Sequence, residues 1–87
     1  MRVQFRQIFA RDLEHIRDKR LLERIRGVVE LVERAESLEE VPHLKKLQGG
    51  SYFRIRVGDY RLGLVVQGGE VTFVRALHRK EVYRYFP

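Results

Sequence analysis

The sequence predicts an α+β fold of order β-α-α-β-β-β, and three observations carry that reading. Apolar residues recur with a helical period between about Ile8 and Val32. From Ser51 onward the period becomes two, the signature of strands with one buried face. Two glycine-marked turns, Gly58-Asp59 and Gln67-Gly68-Gly69-Glu70, then fold successive strands back on one another. A chain of 87 residues supplies one hydrophobic core, so residues 1–87 are expected to form a single domain.

Residues 1–6 alternate Val3 and Phe5 with polar neighbours, which suits a short strand. Phe9, Leu13 and Ile16 are then spaced four and three apart and share one helix face, while Arg11, Asp12, Glu14 and Arg17 cover the other. The polar string Arg17-Asp18-Lys19-Arg20 breaks that stripe and places Asp18 to cap a second helix. In that helix Leu21, Ile25, Val28 and Val32 repeat as four, three, four, with Leu22 and Val29 widening the stripe. Two short amphipathic helices joined by a few residues form an antiparallel hairpin that packs on another layer. Leu31 lies off the stripe, either as an ordinary half-exposed leucine or as a second apolar contact.

Residues 36–50 read as a connector. Ser37 and Glu40 have capping-box spacing, Pro42 stops any helix within about a turn, and Gly49-Gly50 ends the segment. In the strand that follows, Phe53, Ile55 and Val57 point one way and Tyr52, Arg54 and Arg56 the other. A two-residue turn at Gly58-Asp59 fixes the register: Val57 faces Tyr60, Arg56 faces Arg61, Ile55 faces Leu62, and Arg54 faces Gly63. Phe53, Ile55, Val57, Tyr60, Leu62, Leu64 and Val66 then make the core face. The last strand, Val71–Leu77, is apolar on both faces and is expected to be central or well covered. The ending His78–Pro87 is expected to close over the sheet as a short turn or helix.

Charge narrows the partners. Lys and Arg exceed Asp and Glu by 18 − 12 = +6, and the sequence pI is near 10.2, which points to an anionic partner. Hydrophobic residues at 44% argue against disorder despite 34% charge. Without cysteine there is no disulfide, thiol nucleophile, Fe–S cluster or zinc ribbon. No apolar run reaches the ~20 residues of a membrane span and no leader peptide is visible, so the expected setting is the cytoplasm.

Arginines facing one another across a hairpin destabilise it, so Arg56 opposite Arg61, with Arg54 diagonal, is a local cost that folding alone does not explain. Carboxylates could neutralise the cluster, but Asp59 is the only acid between Gly49 and Gly69. Arg54, Arg56 and Arg61 are therefore expected on one open face, beside a Gly63 that leaves room for a phosphodiester. Lys45, Lys46 and Arg75 are further candidate phosphate contacts. At the last strand's end stand His78, Arg79, Lys80 and Tyr83, a set containing proton carriers and a ring that stacks on bases. His15 and His43 show no ligand spacing with His78, so neither a metal nor another cofactor is expected.

The segments LKKLQGG, YFRIRVGDYRLGLVV and FVRALHRKEVYRYFP resemble the RelE/ParE superfamily of toxin–antitoxin systems, and the element order extends the likeness over essentially the whole chain. The resemblance implies a mostly antiparallel sheet with the helical hairpin on one face. In the RelE branch it implies an endoribonuclease that cuts mRNA in the ribosomal A site, by metal-free attack of the 2′-OH on the adjacent phosphate. Carried over by motif, Arg54 and Arg56 match two basic positions on the first hairpin strand, and Arg61 matches the arginine of the Tyr-Arg-Leu segment. Arg79 or Lys80 matches the basic position after the last strand, and Tyr83 the C-terminal tyrosine.

One departure changes the chemistry. Ribonuclease members tend to carry lysines where Arg54 and Arg56 stand, and arginine, charged at every accessible pH, is a poor base. Arginine still stabilises transition-state charge, so proton transfer falls to His78, Lys80 or Tyr83. The implied partners are an acidic antitoxin protein, the ribosome and mRNA, with operator DNA reached only through the antitoxin complex and no membrane. Two alternatives share the fold: a ParE-like inhibitor of DNA gyrase without nuclease activity, and a catalytically degenerate toxin that acts only in its antitoxin complex.

Overall fold

The computed structural model describes residues Met1–Pro87. Its elements in chain order are β1 (Arg2–Phe5), α1 (Gln7–Glu14), α2 (Lys19–Arg34), a 3-10 turn (Leu38–Glu40), β2 (Leu44–Lys46), β3 (Tyr52–Val57), β4 (Tyr60–Gln67), β5 (Glu70–His78) and α3 (Val82–Tyr85). The strands form one sheet ordered β1-β5-β4-β3-β2, antiparallel throughout except for the parallel pair β1–β5.

The helix boundaries follow their local chemistry. Asp18 caps α2, its carboxylate accepting from the backbone N–H groups of Arg20 at 3.0 Å and Leu21 at 3.2 Å. Ser37 and Glu40 form the reciprocal capping box that their spacing implies. Along the helical hairpin the stripe of Phe9, Ile16, Ile25 and Val32 buries against Ile55, Val57, Leu62, Leu64, Val71 and Phe73 of the sheet. Leu31 packs at the margin of this core. Each fully buried large aliphatic or aromatic side chain stabilises such a layer by ~1.5–3 kcal/mol, so the stripe holds the hairpin on this face.

The β3–β4 register is the one read from the turn: Val57 with Tyr60, Arg56 with Arg61, Ile55 with Leu62, Arg54 with Gly63. β5 is central, as its two apolar faces imply. Val71, Phe73 and Ala76 serve the helix side, while Val74 and Leu77 serve a second cluster with Val82 and Phe86 on the far side. The switch comes from a bulge: Gly63 pairs with Arg75 and Leu64 with Phe73, so Val74 has no opposite number. α3 and Phe86 close over the far face, as the chain's aromatic ending suggests.

Two expectations need correction, and one feature of the β5 margin adds to them. The connector 36–50 contains β2, a three-residue edge strand paired with β3. Gly63 does not leave room for a ligand, because the Phe86 ring fills that space: a Cβ there would lie 2.7 Å from Cγ. β1 pairs with β5 only from Arg2–Glu70 to Phe5–Phe73, and beyond Phe73 the open side of β5 is covered from α1. There the Asp12 carboxylate accepts from Ala76 N at 2.9 Å and from both Nε and a terminal nitrogen of Arg75, at 2.8 and 3.1 Å.

Candidate phosphate-binding site

The far face of the β2–β3–β4 edge carries the candidate site. Strand alternation turns Arg54, Arg56 and Arg61 away from the helices, and β2 adds Lys45 directly opposite Arg54. α3 is short because Glu81 lacks a capping side chain and Pro87 follows within two residues, yet its single turn suffices to lay Tyr83 across Arg54. The Arg54 Cζ stands 4.6 Å from the Tyr83 ring centroid, and a terminal guanidinium nitrogen donates to the Tyr83 hydroxyl at 3.4 Å.

Arg54 is the only charged residue in the chain that is fully buried, at 8% exposure, and its Nε has no hydrogen-bond partner. A buried guanidinium with an idle donor is costly unless something completes it. No carboxylate does so: the chain's ion pairs are Arg2–Glu70, Arg26–Glu30, Arg75–Asp12 and Arg79–Asp59, and none involves Arg54, Arg56 or Arg61. Arg56 instead donates to His43 Nδ1 at 3.1 Å. Arg61 donates to the carbonyls of Gly58 and Tyr60, at 3.0 and 2.9 Å.

Tyr83 itself is 78% exposed, yet its phenol is held below its usual value. The Arg54 hydrogen bond and charge draw it down most; Lys45 and Arg61 add to them, and desolvation opposes. Because the Tyr83 oxygen accepts from Arg54, its own proton is free to point outward. The arrangement is a fork of cations around one exposed, acidified hydroxyl.

The family model of the ParE toxin of type II toxin–antitoxin systems matches residues 3–83. A curated relative, Toxin RelE3 of Methanocaldococcus jannaschii, is 40% identical over 89 residues covering all of both chains. The chain belongs to the RelE/ParE superfamily of type II toxins. It is a RelE-like toxin of a toxin–antitoxin system. The RelB–RelE antitoxin–toxin complex from Methanococcus jannaschii matches it with TM-score 0.82 and 39% identity, over 97% of this chain and 99% of that one. The archaeal RelE–RelB complex from Pyrococcus horikoshii, at 23% identity and TM-score 0.74, shares the fold over 90% of this chain and 93% of its own.

Within this RelE-like toxin the residues picked from sequence fall into separate places. Arg54, Arg61, Lys45 and Tyr83 converge, with Arg56 beside Arg61. Lys46 pairs with Phe53 and so stands on the helix side of β2. Arg75 is not free for a phosphate, since it is clamped bidentately on Asp12, with its Cζ 5.7 Å from the Tyr85 ring. His78 pairs in register with Tyr60 and lies edge-on to its ring on the helix side, away from Tyr83. Arg79 lies 3.7 Å from Asp59 at the hairpin tip, and Lys80 is exposed with its backbone N–H on His78 Nδ1. Phe86 went unread as a site component; a chain-terminal aromatic following an apolar Val82 was its only sequence signal. No helix in the toxin is long and apolar enough to cross a membrane, and no group of three His, Asp or Glu side chains is placed to hold a metal.

Proposed function

We propose that this toxin is a ribosome-dependent mRNA endoribonuclease, and that Arg54, Arg61, Lys45 and Tyr83 form its working site. The observation that carries the reading is the buried Arg54 guanidinium, idle at Nε and bonded to an exposed Tyr83 whose phenol is acidified by three cations. A phosphodiester seated on this fork would supply the anion that no carboxylate of the chain brings to Arg54, Arg61 or Lys45. The ribose 2′-oxygen attacks the adjacent phosphorus as it sheds its proton, the P–O5′ bond breaks, and O5′ takes the Tyr83 proton. The products are a 2′,3′-cyclic phosphate and a 5′-hydroxyl end. Arg54 and Arg61 stabilise the charge that builds on the phosphoryl oxygens, an effect commonly worth ~100- to 1,000-fold in rate per donor. The arginines and the Lys45 ammonium accept no proton, so the 2′-proton leaves to a base from outside the cluster, which is a chemical reason for ribosome dependence.

Single-turnover cleavage of ribosome-bound mRNA tests the assignment. Tyr83→Phe should cost ~100- to 10,000-fold and remove the alkaline limb of the pH–rate profile. Arg61→Ala should slow the reaction and leave that profile's shape unchanged. A Tyr83→Phe toxin with the wild-type rate and pH dependence overturns the role of Tyr83. The match to a ParE family model favours a second reading, inhibition of DNA gyrase without cleavage. Induced expression separates the two: new mRNA 5′ ends support the nuclease, and altered plasmid supercoiling without them supports the gyrase inhibitor. Partners follow the same reading, an acidic antitoxin first and operator DNA only through that complex.

A further inference from the structure

A second basic concavity lies on the opposite side of the sheet from Tyr83, between the α1–α2 corner and the β3–β4 hairpin tip. It is a cleft of about 540 Å³, large enough for one or two nucleotides. Arg20 and Arg24, four apart, share one side of α2's first turns, and Arg17 reaches the cleft from the corner just before the Asp18 cap. None of the three has a carboxylate within 4 Å or a side-chain hydrogen bond, although Arg20 and Arg24 are like charges four apart on α2, a spacing that disfavours a helix.

Two acids also line the cleft. Asp18 gives one carboxylate oxygen to the α2 cap, and Asp59 lies 3.7 Å from Arg79. Gly58 contributes by what it lacks: a Cβ there would come within 3.0 Å of an Arg24 guanidinium nitrogen, so the turn glycine lets Arg24 lie against the hairpin tip. The imidazole of His78 completes the lining. Its Nδ1 accepts from Lys80 N at 3.2 Å, which leaves the proton of the neutral ring on Nε2. Three guanidiniums without an ion-pair partner outnumber the two carboxylates of the cleft, and the His78 imidazole adds a further donor.

We infer that this cleft is a second phosphate-ester site, separate from the Tyr83 face. Its ligand is the backbone of an RNA strand, bound through Arg17, Arg20 and Arg24. The inference rests on the nuclease reading only for the identity of the strand, because binding at the cleft needs no cleavage.

The test is fluorescence anisotropy with a short labelled single-stranded RNA across a salt series, using the full-length wild type and Arg17→Gln/Arg20→Gln/Arg24→Gln. The triple variant should bind roughly tenfold or more weakly at physiological salt, and its log K against log salt slope should shrink by about two, at ~0.7 per lost phosphate contact. Anisotropy reads binding and not cleavage, so a failed nuclease reading leaves this result intact. Proton NMR of the His15 and His78 ring resonances, with adenosine monophosphate as a second probe, separates the sources of the phosphate ester. Shifts with RNA alone support the strand, and shifts with the mononucleotide alone overturn it in favour of a free nucleotide. If the triple variant does not fold, Arg24→Gln carries the same comparison, with a slope change of about 0.7. Wild-type affinity and slope in the variant, with both histidines silent to both probes, overturn the inference.

Discussion

Replacing Gly63 by alanine should unseat the C-terminal segment, and its size can be worked from the contact with Phe86. The new Cβ would stand 2.7 Å from Cγ and Cδ1 and 2.8 Å from Cδ2 of that ring, against the ~3.5–4.0 Å at which carbon atoms rest. The ring must therefore retreat by about 1 Å, because β4 is paired on both sides at Gly63 and cannot. Phe86 is wedged edge-on against Tyr52 at 5.7 Å and beside Leu77 and Val82, so retreat has two routes. Overpacking costs ~1–3 kcal/mol, and expelling the ring forfeits its burial, ~1.5–3 kcal/mol. The chain takes the cheaper route, so unfolding in urea should show a loss of about 1–3 kcal/mol. Tyr83 lies three residues before Phe86, and when α3 shifts it should leave Arg54 and titrate closer to an ordinary tyrosine. Spectrophotometric titration, referenced to Tyr83→Phe, reads that change. In Gly63→Ala/Phe86→Leu the two losses should add to less than their sum, because the smaller side chain relieves the clash. An alanine variant with the wild-type urea midpoint and an unmoved Tyr83 titration would refute the account of Phe86 as the pin that holds Tyr83 over Arg54.

Arg54→Gln should raise the Tyr83 pKa toward its ordinary value in the same titration. The folded state favours the Tyr83 anion, so the wild type should gain stability over the variant as pH rises toward ~10 and lose that advantage as pH falls through the folded pKa. Asp12→Asn should destabilise by about 2–3 kcal/mol in urea, because it leaves the largely buried Arg75 without its counter-charge. Asp12→Asn/Arg75→Met should recover part of that loss, and a fully additive double variant would show the two residues to be energetically independent. Gly27→Ala should stabilise by ~0.5–1 kcal/mol, since Gly27 sits exposed inside α2 with nothing within 4 Å of an added Cβ. A lowered thermal midpoint in that variant would count against the helix-propensity argument.

The parts of the fold that were legible are those in which local chemistry and the core agree. Alternation from Tyr52 plus one glycine turn gives the whole β3–β4 register, because a slip of one residue would turn Phe53, Ile55 and Val57 to solvent. Asp18 marks the start of α2 by its side chain alone. β2 escaped because Leu44-Lys45-Lys46 is too short for a period and is held by backbone pairing at a sheet edge. Arg54, Arg56 and Arg61 were legible as a face, but the burial of Arg54 was not, since it depends on a tyrosine 29 residues away. His78 and Tyr83 look adjacent in sequence, yet pairing with Tyr60 puts His78 on the helix side while α3 carries Tyr83 to the other. The Asp12–Arg75 clamp spans 63 residues, and neither partner differs in sequence from an ordinary surface charge.

That clamp has a consequence for how the protein behaves in a crowded cell. Where β1 stops at Phe5, the remainder of β5 would offer a row of backbone donors and acceptors to any passing extended chain. Asp12 occupies the Ala76 N–H that such an intruder would need, and the Arg75 fork fills the lane beside it. The far margin of the sheet is guarded differently, by a strand of three residues bearing two lysines. The lane of β5 beyond Phe5 and the β2 edge are thus both poor templates for an added strand, one by a largely buried ion pair and the other by shortness and charge.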